Sequence, residues 1–174
     1  MNKIYNDKEY INYVEDILDN KEFNELKKYL HHGGNRYDHC LRVSYHSYKL
    51  AKKFKLKEKE VARAGLLHDF FMVNNQEIGL KRRIKVLFTH PKIALSNAQK
   101  YYKLNDMEKN IIVSHMFPIG LTLPKYKESW LIDTVDNAMS IYERIYNFSQ
   151  GIKSKFKKPV KANYKIMKKQ KTTN

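Results

Sequence analysis

Cysteine is all but absent from this chain of 174 residues. The single thiol, Cys40, cannot close an internal disulfide, so the fold must rest on a packed core, and it suits a reducing compartment. No apolar run approaches the roughly 18 residues needed to span a bilayer. The segment Met1-Asn2-Lys3-Ile4-Tyr5-Asn6-Asp7 lacks the apolar stretch of a secretory signal. The expectation is a cytoplasmic protein with no membrane span. No internal repeat of fixed period is visible. Acidic residues stop at Glu143, after which Lys153, Lys155, Lys157, Lys158, Lys161, Lys165, Lys168, Lys169 and Lys171 follow. The formal charge of +16 favours anionic partners: nucleotides, nucleic acid or an acidic surface. The plainer reading of the lysine run is a solvated tail over 151–174, following one domain over 1–150.

Strand patterns are scarce, and helical spacing is plentiful. Asn6 and Glu9 suggest a capping box, after which Tyr10, Ile11, Val14, Ile17 and Leu18 recur at helical intervals. A second helix is expected over 22–30, with Phe23, Leu26 and Leu30 on one face and Gly33-Gly34 ending it. Asn35 reads as the next N-cap, opening a helix to about Phe54 that carries His39, Val43, Leu50, Ala51 and Phe54 inward. Another runs from about Glu58 to Phe70, with Val61, Ala64, Gly65, Leu67 and His68 on its packed side. The stretch from Met72 to Phe88 is the least regular and reads as a loop with one short helix, polar at Asn74-Asn75-Gln76. His90-Pro91 opens the next helix, since proline fits a first turn. Asn105 and Glu108 form another capping box before Ile111, Ile112 and His115. Pro118 and Pro124 bracket a turn. The last long helix spans about Lys127 to Tyr146, with Leu131, Ile132, Val135, Ala138, Met139 and Ile145 on its apolar face.

The chemistry concentrates in Ala64-Gly65-Leu66-Leu67-His68-Asp69-Phe70. A carboxylate at the end of an apolar helix needs a cation, a cluster of donors or water, because burying it alone is expensive. Imidazole and carboxylate are also the ligand types that suit borderline divalent metals. His39, His90, His115 and Asp136 (or Asp133) complete an ordered set on separate helices. Asp133 and Asp136 lie three apart and share a helix face.

In His39-x-x-Arg42-Val43, Gly65-Leu66-Leu67-His68-Asp69, Thr89-His90-Pro91, Ser114-His115 and Val135-Asp136-Asn137, the chain resembles the HD-domain metal-dependent phosphohydrolases. The likeness covers roughly residues 35–144, and the two extra histidines are similar to the binuclear, diadenosine-polyphosphate hydrolase branch. The resemblance implies an all-α HD-domain helical bundle and two divalent ions, iron or manganese by likeness. Ligand type alone also allows zinc, nickel or cobalt. It implies that His39, His68 and Asp136 bind one ion, His90 and His115 the other, and Asp69 bridges them. The activity implied is hydrolysis of a phosphate ester or anhydride of a small nucleotide through a metal-activated bridging water, with Asp69 and His68 at the reacting centre. Arg36 and Arg42, one turn either side of His39, are the candidate phosphate contacts. The chain departs from many members in having Phe70-Phe71-Met72 where Ile-Gly-Lys follows the pair, and it lacks the Gly-Tyr-Pro triplet of the cyclic-dinucleotide branch. Two rival readings are a degenerate nucleotide-binding HD module and a nuclease-like protein docking nucleic acid through its Lys-rich tail. His31 and His32 read as helix-end residues near a C-terminal dipole, His46 as core or surface, and Cys40 as a packed thiol.

Overall fold

The structure is a computed structural model that describes residues 2–31, 34–73 and 79–156. Its helices are α1 (Asn2–Tyr5), α2 (Lys8–Leu18), α3 (Lys21–Asn24), α4 (Arg36–Lys53), α5 (Glu58–Leu67), α6 (Leu80–Tyr101), α7 (Asp106–Ser114) and α8 (Lys127–Phe156). Among the described residues the one sheet is a two-stranded antiparallel pair, β1 (Leu30–His31) and β2 (Gly34–Asn35). The fold is all-α, as the helical periodicity predicts. No helix among the described residues is long and apolar enough to cross a membrane.

Helices α4 and α5 form the centre. Gly65 makes their approach close: a Cβ there would lie 2.9 Å from Ser44 Cα and 3.0 Å from Ile132 Cδ1. Ser44 Oγ donates to the Ala62 carbonyl at 2.6 Å, satisfying the hydroxyl that this contact buries. Around the pair pack Tyr10, Val14 and Ile17 of α2, Ala94 and Ala98 of α6, Ile111 and Ile112 of α7, and Ile132 of α8. Burying side chains of this size stabilises by roughly 1.5–3 kcal/mol each for the larger aliphatics.

Capping follows the sequence with one shift. Asn35 accepts the Asp38 N–H at 2.8 Å, and Asn105 and Glu108 cap α7 reciprocally at 2.9 Å each way. At α2 the cap is Asp7 rather than Asn6, its carboxylate accepting the Tyr10 N–H.

Three expected elements differ. The helix expected over 22–30 is a single turn, α3, followed by a 3₁₀ turn at Glu25–Lys28 and then β1. Phe23 and Leu26 are both fully buried at a spacing of three, which suits 3₁₀ geometry, whereas Leu30 is 46 % exposed and gives a longer helix nothing to pack. His31 is therefore a strand residue, not a helix end; His32 and Gly33 lie outside the described residues. The second difference is α6, which runs unbroken from Leu80 with Pro91 inside it. Before His90 it buries only Val86; Leu80, Ile84, Leu87 and Phe88 recur at helical spacing but are exposed. Pro91 marks no start there. The third is α8, which continues past Gly151 to Phe156, and beyond Asp136 its inward residue is Glu143, while Ala138 and Ile145 are exposed. Phe54, expected inward, is the exposed C-cap of α4, and α5 ends at Leu67 with His68 as its C-cap. Asn74-Asn75-Gln76 and the lysines from Lys157 onward lie outside the described residues.

The Gly65 contact gives a direct test. Gly65→Ala is expected to destabilise the fold by about 1–3 kcal/mol through overpacking, read as a lower urea midpoint. An unchanged midpoint would show that α4 and α5 do not need this closeness.

Candidate metal centre

Five histidines and two aspartates converge where these elements meet. His31 comes from β1, His39 from the second turn of α4, and His68 and Asp69 from the end of α5. His90 comes from the middle of α6, His115 from the C-cap of α7, and Asp136 from α8. All but His31 are buried.

The imidazoles are aimed by the backbone. His68 Nδ1 donates to the Gly65 carbonyl at 2.8 Å, and His115 Nδ1 to the Ile112 carbonyl at 2.7 Å. Both acceptors belong to a last helical turn, whose carbonyls have no partner inside the helix. His90 uses another freed carbonyl. Pro91 has no N–H to give Leu87, and His90 Nδ1 lies 3.1 Å from both the Leu87 and Val86 oxygens. A carbonyl cannot donate, so each Nδ1 carries the proton, and in the neutral ring Nε2 is left as a bare acceptor.

Those acceptors face one another. His90 Nε2 lies 3.0 Å from His115 Nε2 and 3.3 Å from Asp69 Oδ1, which is 3.5 Å from His115 Nε2. His39 Nε2 lies 2.9 Å from Asp136 Oδ1, and His68 Nε2 is 3.6 Å from the same oxygen. His68 Nε2 and Asp69 Oδ1 are buried without a hydrogen-bond partner. Lone pairs so placed repel unless a proton or a cation lies between them. Two donors each about 2.1 Å from one ion sit about 3.0 Å apart at right angles and about 3.4 Å apart at the tetrahedral angle, and the separations here run from 2.9 to 3.6 Å. Three groups have ligand atoms within 4.8 Å of one another: His39, His68 and Asp136; His68, Asp69 and His115; and His31, His39 and Asp69. The donor set fits borderline divalent ions.

The electrostatics agree. Burial alone would raise Asp69, but the surrounding imidazoles, His115 first and then His68, His90 and His31, hold it well below the usual carboxylate range. Asp136 behaves alike: burial is outweighed by His68 and His39. Burial pushes His90 down to about 4 against the pull of Asp69. Burial also opposes protonation of His39, yet Asp136 and Glu143 together lift it to about 10.

Glu143 is a residue of the cluster that the sequence reading did not identify. One oxygen accepts from His39 Nδ1 at 3.0 Å; the other receives Arg42 through Nε and Nη2 at 2.8 Å each. Such a carboxylate fixes the ring and tautomer of a ligand histidine. Its position seven residues after Asp136, two turns along one face, is the signal that could have revealed it. His31 had no such signal, because β1 brings it in. Asp136, rather than Asp133, faces His39 and His68; Asp133 sits nearby, pushed up to about 6 by burial and then by Asp136.

Arg36 and Arg42, the expected phosphate contacts, are both engaged by groups of the protein. Arg36 is fully buried, donating to the Phe71 carbonyl at 2.6 Å and the Val73 carbonyl at 3.1 Å, with its guanidinium 3.8 Å from the Phe71 ring. It holds the segment after the His-Asp pair. Arg42 is engaged by Glu143. The open side of the centre is a cleft of about 530 Å³, whose lining includes Ile84, Leu87, Ile119 and Ile141 with Arg83, Asn137, Ser140 and Arg144. His46 is exposed and Cys40 is buried.

The Glu143–His39 contact predicts a pH dependence for the metal-free protein. A histidine raised from 6.5 to about 10 contributes stability that is complete below about pH 6.5 and lost as pH climbs toward 10. Chelator-treated protein should therefore lose stability over that window in urea melts. Glu143→Gln should shrink the loss; parallel curves for the two proteins would refute the coupling.

A family model described as HD domain matches residues 36–146. No curated protein and no solved structure matches the chain. The matched span is more than half of the sequence and contains His39, His68, Asp69, His90, His115, Asp136 and Glu143. The chain therefore belongs to the HD-domain family, whose members bind divalent metals and are in general metal-dependent hydrolases.

Proposed function

We propose that this protein is a two-metal phosphohydrolase that cleaves a phosphate ester or anhydride of a small nucleotide, in the manner of the diadenosine-polyphosphate hydrolase branch. His39, His68 and Asp136 would hold one cation, His90 and His115 the other, and Asp69 would be shared. Iron or manganese is the pair the family likeness favours; the same ligands suit zinc, nickel or cobalt. The observation that carries the reading is the convergence of bare Nε2 acceptors on the two Asp oxygens, with His68 Nε2 and Asp69 Oδ1 buried and unpartnered.

Bound divalent cations supply Lewis acidity at phosphoryl oxygen and lower the pKa of water. The chain supplies the rest. The Nδ1 donors to Gly65, Ile112, Val86 and Leu87 fix ring orientation before any substrate arrives, so little reorganisation is needed later. Arg83 and Arg144 line the cleft and would lend positive charge to bound phosphates. Ile84, Leu87, Ile119 and Ile141 give a base or sugar an apolar wall. The cleft volume of about 530 Å³ is in the range of small-ligand sites. The Lys-rich stretch that motivates a nucleic-acid substrate lies, from Lys157 on, outside the described residues.

Metal analysis of purified protein, together with a panel of mono-, di- and dinucleoside phosphates, tests the proposal. Two metal equivalents with turnover of at least one nucleotide are expected. Asp69→Asn should lower kcat/KM by about a thousandfold, roughly 4 kcal/mol of barrier. Full metal occupancy without hydrolysis of any compound would leave the degenerate binding module, and preferential cleavage of strands would favour the nuclease-like reading.

A further inference from the structure

The six ligands of the proposed two-metal reading leave one side of Asp69 to a residue outside the matched span. His31 Nε2 lies 3.7 Å from Asp69 Oδ2, the oxygen turned away from His90 and His115. Its ring centroid is 4.4 Å from that of His39. His31, His39 and Asp69 form a group with mutually close ligand atoms, as do the two groups drawn from the helices. Arg36 Nε, 3.9 Å from the same Asp69 oxygen, is buried without a hydrogen-bond partner, so that oxygen is not satisfied by a close donor from α4.

We propose that His31 is a further metal ligand, placing Nε2 on the cation shared by His39 and Asp69. The proposal rests on the two-metal reading and extends it. The strand pair delivers this side chain: His31 lies opposite Gly34, and Asn35, the partner of Leu30, is the N-cap of α4. The hairpin is thereby tied to the helix that carries His39. A further neutral imidazole on this ion would occupy a position otherwise open to water or substrate, and it would tighten the ion without altering the charge of the site.

The test is Mn(II) binding, followed by electron paramagnetic resonance, on chelator-treated full-length protein and on His31→Ala, His31→Gln and His46→Ala. The wild type should bind two ions. His31→Ala should weaken one of them by about tenfold or more, on the scale of losing a ligand-level contact, and leave the other unchanged. His31→Gln keeps a donor for Asp69 but removes the imidazole, so it should be as weak as His31→Ala; His46→Ala should match wild type. Pulsed measurements on the Mn(II)-loaded protein should show one fewer coupled imidazole in both His31 variants. Wild-type affinity and an unchanged imidazole count in His31→Gln would overturn the proposal, reducing His31 to a hydrogen-bonding neighbour of Asp69. Two-site Mn(II) binding would survive that result, so the two-metal reading would stand; an absence of Mn(II) binding in the wild type would sink both.

Discussion

The structure depends on a buried carboxylate surrounded by imidazoles that cannot all be satisfied by one another. Asp69 sits at 4 % exposure with Oδ1 lacking any hydrogen-bond partner, and His90 and His115 turn acceptor nitrogens toward it. Leaving such a group uncompensated would cost several kcal/mol. The rings cannot simply rotate to relieve the clash of lone pairs, because each Nδ1 proton is committed to a backbone carbonyl. Two helices, α5 and α7, also point their C-terminal ends at the same spot, adding negative partial charge. Every one of these terms is relieved by positive charge at the centre. The fold around it, with glycine at the α4–α5 contact and the reciprocal cap at α7, keeps the groups at this spacing.

Much of the layout is legible in the sequence. The Asn35 and Asn105 caps, the apolar spacing of α2, α5 and α7, and the glycine before Leu66-Leu67-His68-Asp69 are local signals, and each corresponds to a local cause. The ordered histidines and late aspartate are legible too, because each sits at or near a helix end or on an apolar face. What escaped has a different physics. His31 joins the cluster through a two-residue strand, whose pairing partner no periodicity announces. Spacing puts Arg36 and Arg42 on or near the face of His39 but does not show what the opposite wall offers: the Phe71 and Val73 carbonyls and the carboxylate of Glu143 engage them. The first half of α6 does carry a pattern, Leu80, Ile84, Leu87 and Phe88 at helical spacing, but these side chains are exposed rather than packed into the core.

The departure at Phe70-Phe71-Met72 also acquires a role. Phe70 is fully buried, 5.7 Å from the Phe23 ring and 6.0 Å from Tyr101, while Phe71 lies 3.8 Å from the Arg36 guanidinium and 5.0 Å from the His90 ring. Aromatic packing and a cation over a ring face each add about a kcal/mol beyond burial. This segment is held by Arg36 and by Asn97, which donates to the Phe70 carbonyl at 3.0 Å.

Pro91 shows how an aiming device can reside in the main chain. An ordinary residue at that place would bring an amide competing with the neighbouring ring for the Leu87 oxygen, and the ring would gain a second resting pose. The imino acid silences the rival. Orientation of His90 is thus inherited from the residue beside it in the polypeptide, and it survives whatever drifts on the opposite walls.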